Sequence, residues 1–150
     1  MTAPRRLLRV LPDGYRDRLM AVAREVSFAQ GERIFEEKGR ADRFWILRSG
    51  TVTLDLRLAG PRPTGVSSLA SGDLLGWSWL FPPYEWDFGA EALSPVRAYE
   101  FDGASVQELC DEDPAFGYAL LRAIAEILAF RVRAARTRLL DLFAPGAHGW

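Results

Sequence analysis

The sequence lacks nearly every residue from which catalytic and metal sites are assembled. Its 150 residues include one cysteine, Cys110, and one histidine, His148. A single thiol excludes an internal disulfide and a multi-cysteine zinc site. A histidine beside the C-terminus excludes a His-based triad in the folded body and a two-histidine metal site. Long apolar runs are missing too. None approaches the roughly 18 residues of a membrane span. The basic start, Met1 to Pro12, has no long apolar stretch and no small-residue cleavage site. These absences predict a cytoplasmic protein with no signal peptide, no membrane contact, no metal and no cofactor.

Lysine is also nearly absent, since Lys38 stands beside eighteen arginines. That bias carries no functional reading. The distribution of charge does. Residues 1–62 hold 13 basic and 8 acidic side chains, and residues 114–150 hold 5 and 2. Between them, residues 63–113 hold 10 acidic side chains and a single cation, Arg97. A net charge of -1 conceals this acidic middle.

What is present is an ordinary globular composition, 49% hydrophobic and 26% charged, long enough for one domain with its own core. Asp13 reads as a helix N-cap, with Leu19, Met20, Ala23 and Val26 following at helical spacing. From Phe28 to Phe101 short apolar runs alternate with glycine. Ile34-Phe35 lies between Gly31 and Gly39, and Phe44 to Leu47 precedes Ser49-Gly50. Val52, Leu54, Leu56 and Leu58 share one face, and Val96 to Phe101 alternates. Short strands with regular turn signals predict an all-β sandwich or barrel. Gly39 and Gly50 are expected at positive φ. Three of the five tryptophans, Trp77, Trp79 and Trp86, fall between Gly72 and Ala92, where Pro82-Pro83 halts any helix.

Asp113-Pro114 reads as an N-cap followed by a proline at the first helical position. Leu121, Ala125, Leu128, Val132, Ala135, Leu139 and Leu142 then recur at alternating spacings of four and three. That seam predicts a long helix that forms a homodimer; packing back on the barrel is the alternative. The expected organisation is an N-terminal helical segment (1–27), a β-roll (28–112), a dimerisation helix (113–143) and a tail (144–150). The fold class is mainly β with flanking helices.

Gly31-Glu32-Arg33-Ile34-Phe35, Gly39 to Asp42, Phe44 to Val52 and Gly72 to Gly76 together resemble the cyclic-nucleotide-binding domain of the catabolite activator and fumarate-nitrate regulator superfamily. The resemblance implies a β-roll between N-terminal helices and a long C-terminal helix that often dimerises. It also implies a ligand between Gly76 and Ala92. There a glutamate directly after the glycine takes the ribose hydroxyl, and an arginine further on takes the cyclic phosphate. Here those positions hold Trp77 and a residue near Trp86, with no cation between Arg62 and Arg97. Losing a charge-assisted phosphate bond of roughly 1.5–3 kcal/mol lowers affinity about ten- to a hundred-fold. Asp73, Glu85, Asp87 and Glu91 add repulsion. A standard cyclic nucleotide is therefore disfavoured. Helix-start amides after Gly76, or Arg48 or Arg57 from a strand, remain substitutes in principle.

The candidate pocket is Gly76, Trp77, Ser78, Trp79, Trp86, Asp87, Phe88 and Glu91. Its aromatics either pack and fill the site themselves, contact a protein partner, or line a pocket for a flat or cationic ligand. Arg131, Arg133, Arg136 and Arg138 read as a solvated coiled-coil flank, in preference to a nucleic-acid surface. With about a dozen residues after Thr137, a winged-helix head is not expected. No catalytic residues emerge. Gly76-Trp77-Ser78-Trp79-Leu80 lacks the second glycine of a nucleophile elbow, Glu85 and Asp87 read as an acidic loop, and Cys110 has no histidine partner. The expectation is a stand-alone regulatory or adaptor module, not an enzyme. It acts by dimerising and holding a protein partner or a non-standard ligand, and a change in the Gly72–Ala92 loop moves the long helix. The rival readings are a genuine cyclic AMP or GMP sensor, a structural subunit and a nucleic-acid binder.

Overall fold

The computed structural model describes residues 6–143. The expected tail over 144–150, with His148, lies outside them. Two short helices, α1 (Leu7–Val10) and α2 (Asp13–Met20), open the described chain. Eight strands follow: β1 (Arg24–Phe28), β2 (Arg33–Phe35), β3 (Arg43–Ser49), β4 (Val52–Leu56), β5 (Thr64–Leu69), β6 (Leu74–Leu75), β7 (Gly89–Ala92) and β8 (Val96–Asp102). A 3₁₀ turn, Ser78–Leu80, separates β6 from β7. Helices α3 (Gly103–Glu112) and α4 (Pro114–Phe143) close the fold.

The strands form two four-stranded sheets, ordered β1-β8-β3-β6 and β2-β7-β4-β5, with antiparallel pairing throughout. The mainly β class with flanking helices is the architecture observed. Strand β3 explains how the layers join. Successive side chains of a strand point to opposite faces. Trp45 and Leu47 point between the sheets, where they pack with Val52, Leu75, Trp86, Ala90 and Val96. Phe44 and Ile46 point the other way, into a second core with Leu7, Leu19, Phe101, Phe116, Leu120 and Ile127. A strand buried on both faces reads as a continuous apolar run, as Phe44 to Leu47 does.

Helix α4 starts as the sequence predicts. The Asp113 carboxylate accepts hydrogen bonds from the Ala115 and Phe116 amides at 3.2 and 3.3 Å. Phe116, Leu120, Ala123, Ile124 and Ile127 form its buried stripe. With 30 residues the helix is about 45 Å long, so its last turns run past that core.

Several local expectations are corrected. Pro12, not Asp13, occupies the N-cap of α2; Asp13 is the first helical residue and pairs with Arg16 at 2.7 Å. The helical stripe stops at Met20, and Val26 belongs to β1, where pairing with β8 overrides the local period. Residues 103–112, expected within the roll, form α3, capped by the Asp102 carboxylate at the Ser105 amide. Leu58 lies beyond β4 and is exposed. The left-handed residue near Gly39 is Lys38, at φ 70°, whereas Gly50 has the expected positive φ of 87°.

Gly50 is tightly constrained, because an added Cβ would lie 2.2 Å from the Pro95 carbonyl oxygen. Gly31 has a similar φ of 85° but open space around it. Gly50→Ala is expected to destabilise by about 2–5 kcal/mol, from strain plus overpacking. Gly31→Ala is expected to cost only about 1–2 kcal/mol. Urea denaturation of both variants measures the difference.

Candidate functional site

The sheets and α4 enclose a cavity of about 630 Å³. That volume falls in the range of small-molecule sites, roughly 300–1,000 Å³. Strand β2 contributes Phe35, β4 contributes Leu54 and Leu56, and β5 contributes Val66 to Leu69. The segment after β6 adds Gly76, Trp77 and Ser78, and the loop before β7 adds Trp86, Asp87 and Phe88. Helix α4 supplies Ile127, Leu128, Arg131, Val132, Ala135 and Arg138, among others.

Trp86 is the best-held of these residues. Its ring is buried and stacks on Phe35 with centroids 4.0 Å apart, 16° from parallel. Its amide donates to the Gly39 carbonyl at 2.9 Å, and its carbonyl accepts from the Lys38 amide at 2.8 Å. Gly76 makes room for it. At φ 93° an added Cβ there would lie 2.9 Å from Trp86 Cζ3. Trp86 thus packs as core while still forming cavity wall. Trp77 is only half-buried and meets Phe81 edge-on. The tryptophans do not fill the space between the sheets and α4.

The cavity's charge differs from the sequence expectation. No cation comes from residues 63–96, but α4 brings two. Arg131 is half-buried and donates to the Leu74 carbonyl. Arg138 donates to the Val66 carbonyl at 3.1 Å. Burial pushes the Arg131 guanidinium below its ordinary value, with Asp73 opposing that shift. Asp73 and Asp87 also line the cavity.

Of the expected pocket residues, Gly76, Trp77, Ser78, Trp86, Asp87 and Phe88 meet around this cavity. Trp79 does not. It points into the helical core, stacked on Phe44 at 5.0 Å, and its indole N–H has no partner. Glu91 is also elsewhere, 3.5 Å from Arg33 on the β2-β7-β4 sheet, where Arg33 holds buried Asp55 in a bidentate pair. Strand alternation and the turn after Gly76 send these side chains away. Arg48 pairs with Glu25 and lies over Tyr99, and neither it nor Arg57 lines the cavity. The turn after Gly76 is three residues long, too short to sum an appreciable dipole. Cys110 packs beside the helical core, and burial raises its thiol above the ordinary value, with Asp111 adding to the effect. No group of three or more metal-ligating side chains converges among the described residues. Nor does any described helix have the length and apolarity to cross a membrane.

The sequence reading missed Arg131 and Arg138, because it treated them as a solvated flank. A signal was available. Leu120, Ile124 and Ile127 continue at the same spacing through Arg131, Ala134 and Arg138. An arginine on the stripe that faces the roll is positioned to reach inside.

Residues 25–113, well over half of the chain, match the cyclic nucleotide-binding domain, and the protein belongs to that family. The "CRP-like cAMP-activated global transcriptional regulator" of Mycobacterium tuberculosis is 28% identical over 117 residues, covering 78% of this chain and 50% of that one. The chain thus spans about half the length of this curated relative. A Geobacter metallireducens structure, provisionally named a cyclic nucleotide-binding protein, is 28% identical with a TM-score of 0.73. That alignment covers 88% of this chain and 99% of the other. A cyclic nucleotide-binding domain from Methylobacillus flagellatus has a TM-score of 0.81 at 13% identity, covering 90% of this chain and 79% of that one, a likeness of fold alone.

Removing the buried Trp86 ring leaves a hole in the inter-sheet core. Trp86→Ala is expected to destabilise by about 3–5 kcal/mol. Trp77→Ala, at the half-open wall, should cost less than half as much. Chemical denaturation followed by circular dichroism checks both.

Proposed function

We propose that this chain is a ligand-responsive regulatory module. Its cavity takes a ligand other than a standard cyclic nucleotide, and α4 passes occupancy on to a dimer interface. One observation carries this reading. Leu128, Val132 and Ala135 line the cavity, and they belong to the same four-three series as Leu121, Leu139 and Leu142, which are exposed. A ligand that presses on one part of this helix changes the presentation of the rest. The heptad spacing fits a second copy of the same helix as the covering partner. The role is regulatory rather than catalytic, in keeping with the family, and a protein partner would read the state of the dimer.

The argument against a cyclic nucleotide is local. The position implied for ribose recognition holds Trp77, and the phosphate position, in a segment without a cation, falls near Trp86, which is committed to the core. Asp87 stands next to it. The cations on α4 do not restore the missing pair, because they come from a different wall of the cavity.

Calorimetric titration with cyclic AMP and cyclic GMP, with tryptophan emission read in parallel, tests the ligand reading. The expected outcome is no saturable binding up to millimolar concentration; micromolar binding would overturn it. Sedimentation equilibrium tests the interface. The wild type should sediment as a dimer and Leu139→Glu as a monomer with unchanged circular dichroism.

A further inference from the structure

We propose that the cavity is built for an amphipathic monocarboxylate, with its acid group on Arg131 and its apolar body against Phe35, Leu54, Leu56 and Trp77. This rests on the reading of the cavity as a ligand site and assigns the chemical class of its occupant.

The first support is the composition of the walls. Two sheets and one helix meet there through aliphatic and aromatic side chains, with few polar groups among them. Such a surface binds hydrocarbon or aromatic rings without direction. A polyhydroxylated body would meet the Trp77 indole where it needs an acceptor.

The second support is a single half-buried cation placed on that apolar wall. Arg131 reaches the cavity from α4 and gives one N–H to the Leu74 carbonyl. A guanidinium carries five N–H donors in a planar fork that matches a carboxylate bidentately. Among the described residues Arg131 forms no ion pair. Arg33, by contrast, is half-buried with its carboxylate, Asp55, built in. The acceptor on Arg131 is a neutral carbonyl, with the Asp73 carboxylate nearby but not paired with it, and a ligand carboxylate is a stronger acceptor for the same fork.

The third support is the charge balance. Arg131 and Arg138 face Asp73 and Asp87 around the cavity, so the walls sum to no net charge. That balance disfavours a polyanion, and the apolar walls, not the charge, favour a hydrocarbon or aromatic body on a single acid. Binding also has a structural consequence. A carboxylate taken by the remaining N–H donors shares Arg131 with the Leu74 carbonyl, so occupancy acts directly on the attachment of α4 to β6.

The test titrates the full chain with decanoate by calorimetry, with decan-1-ol as the neutral control of the same body. Decanoate should bind saturably and at least about tenfold more tightly than the alcohol, tenfold being about 1.4 kcal/mol. Arg131→Gln should lose about tenfold or more of the decanoate affinity while leaving the alcohol unchanged. Arg131→Lys, which keeps the charge but not the fork, should recover only part of that loss, and Arg133→Gln, on the exposed face, should match wild type. Equal binding of acid and alcohol overturns the carboxylate assignment. So does undiminished decanoate binding in Arg131→Gln, or no decanoate binding at all. Those results leave the ligand-site reading standing, whereas micromolar cyclic AMP binding to the wild type overturns the reading that the site takes a ligand other than a standard cyclic nucleotide.

Discussion

The structure depends on a strand that is buried on both faces. Phe44 and Ile46 of β3 anchor the helices, and Trp45 and Leu47 anchor the space between the sheets. Antiparallel sheets commonly leave one face to water. Here the helices cover that face, so the sheet sandwich and the helical layer share one wall. Any movement of α4 is therefore measured against β3. The buried stripe from Phe116 to Ile127 fixes the first half of α4 to this wall.

The second half of α4 is held differently. Past Ile127 the stripe that faces the roll becomes polar, and Arg131 and Arg138 take over from isoleucine and leucine. Each reaches a backbone carbonyl of a strand, Leu74 in β6 and Val66 in β5. Apolar packing is non-directional and scales with area. Hydrogen bonds to carbonyls are directional, and their net contribution is typically only about 1 kcal/mol each. The helix is thus firmly seated for its first half and lightly tied for its second, and the cavity lies under the lightly tied part.

Much of this was legible in the sequence. Glycine punctuation and short apolar runs implied the roll, and Asp113-Pro114 marked the start of α4. The run from Phe44 to Leu47 was recognisable as a strand, though not as one with two dry faces. Single residues were harder to place. Val26 continues a helical period yet pairs in β1, because the edge of β8 offers a ladder that the local pattern cannot show. Trp79 lies two residues from Trp77 in a segment read as one aromatic cluster. The turn between them sends one ring to the helices and leaves the other at the cavity. The charge count along residues 63–96 was correct, but a cavity is closed by elements distant in sequence. The cations were 35 residues or more downstream, on a stretch read as a solvated flank of a dimerisation helix.

Placing the cation on α4 also changes what a ligand can accomplish. A cation on the loop between Gly76 and Ala92 would hold an anion against the roll, and α4 would learn of it only through intervening side chains. A cation on α4 makes the ligand a direct contact of the helix. An effector shifts an equilibrium only by its differential interaction with the two states. On the proposed reading, that difference is the ligand acid held by the guanidinium that also ties α4 to the Leu74 carbonyl. Both acceptors use one side chain, so capture of the ligand acts directly on the tie. The exposed residues further along, Leu139 and Leu142, lie on the turns that this tie steadies. Recognition at the cavity and presentation of the seam are thereby coupled through one helix, with Arg138 on the Val66 carbonyl as its second tie.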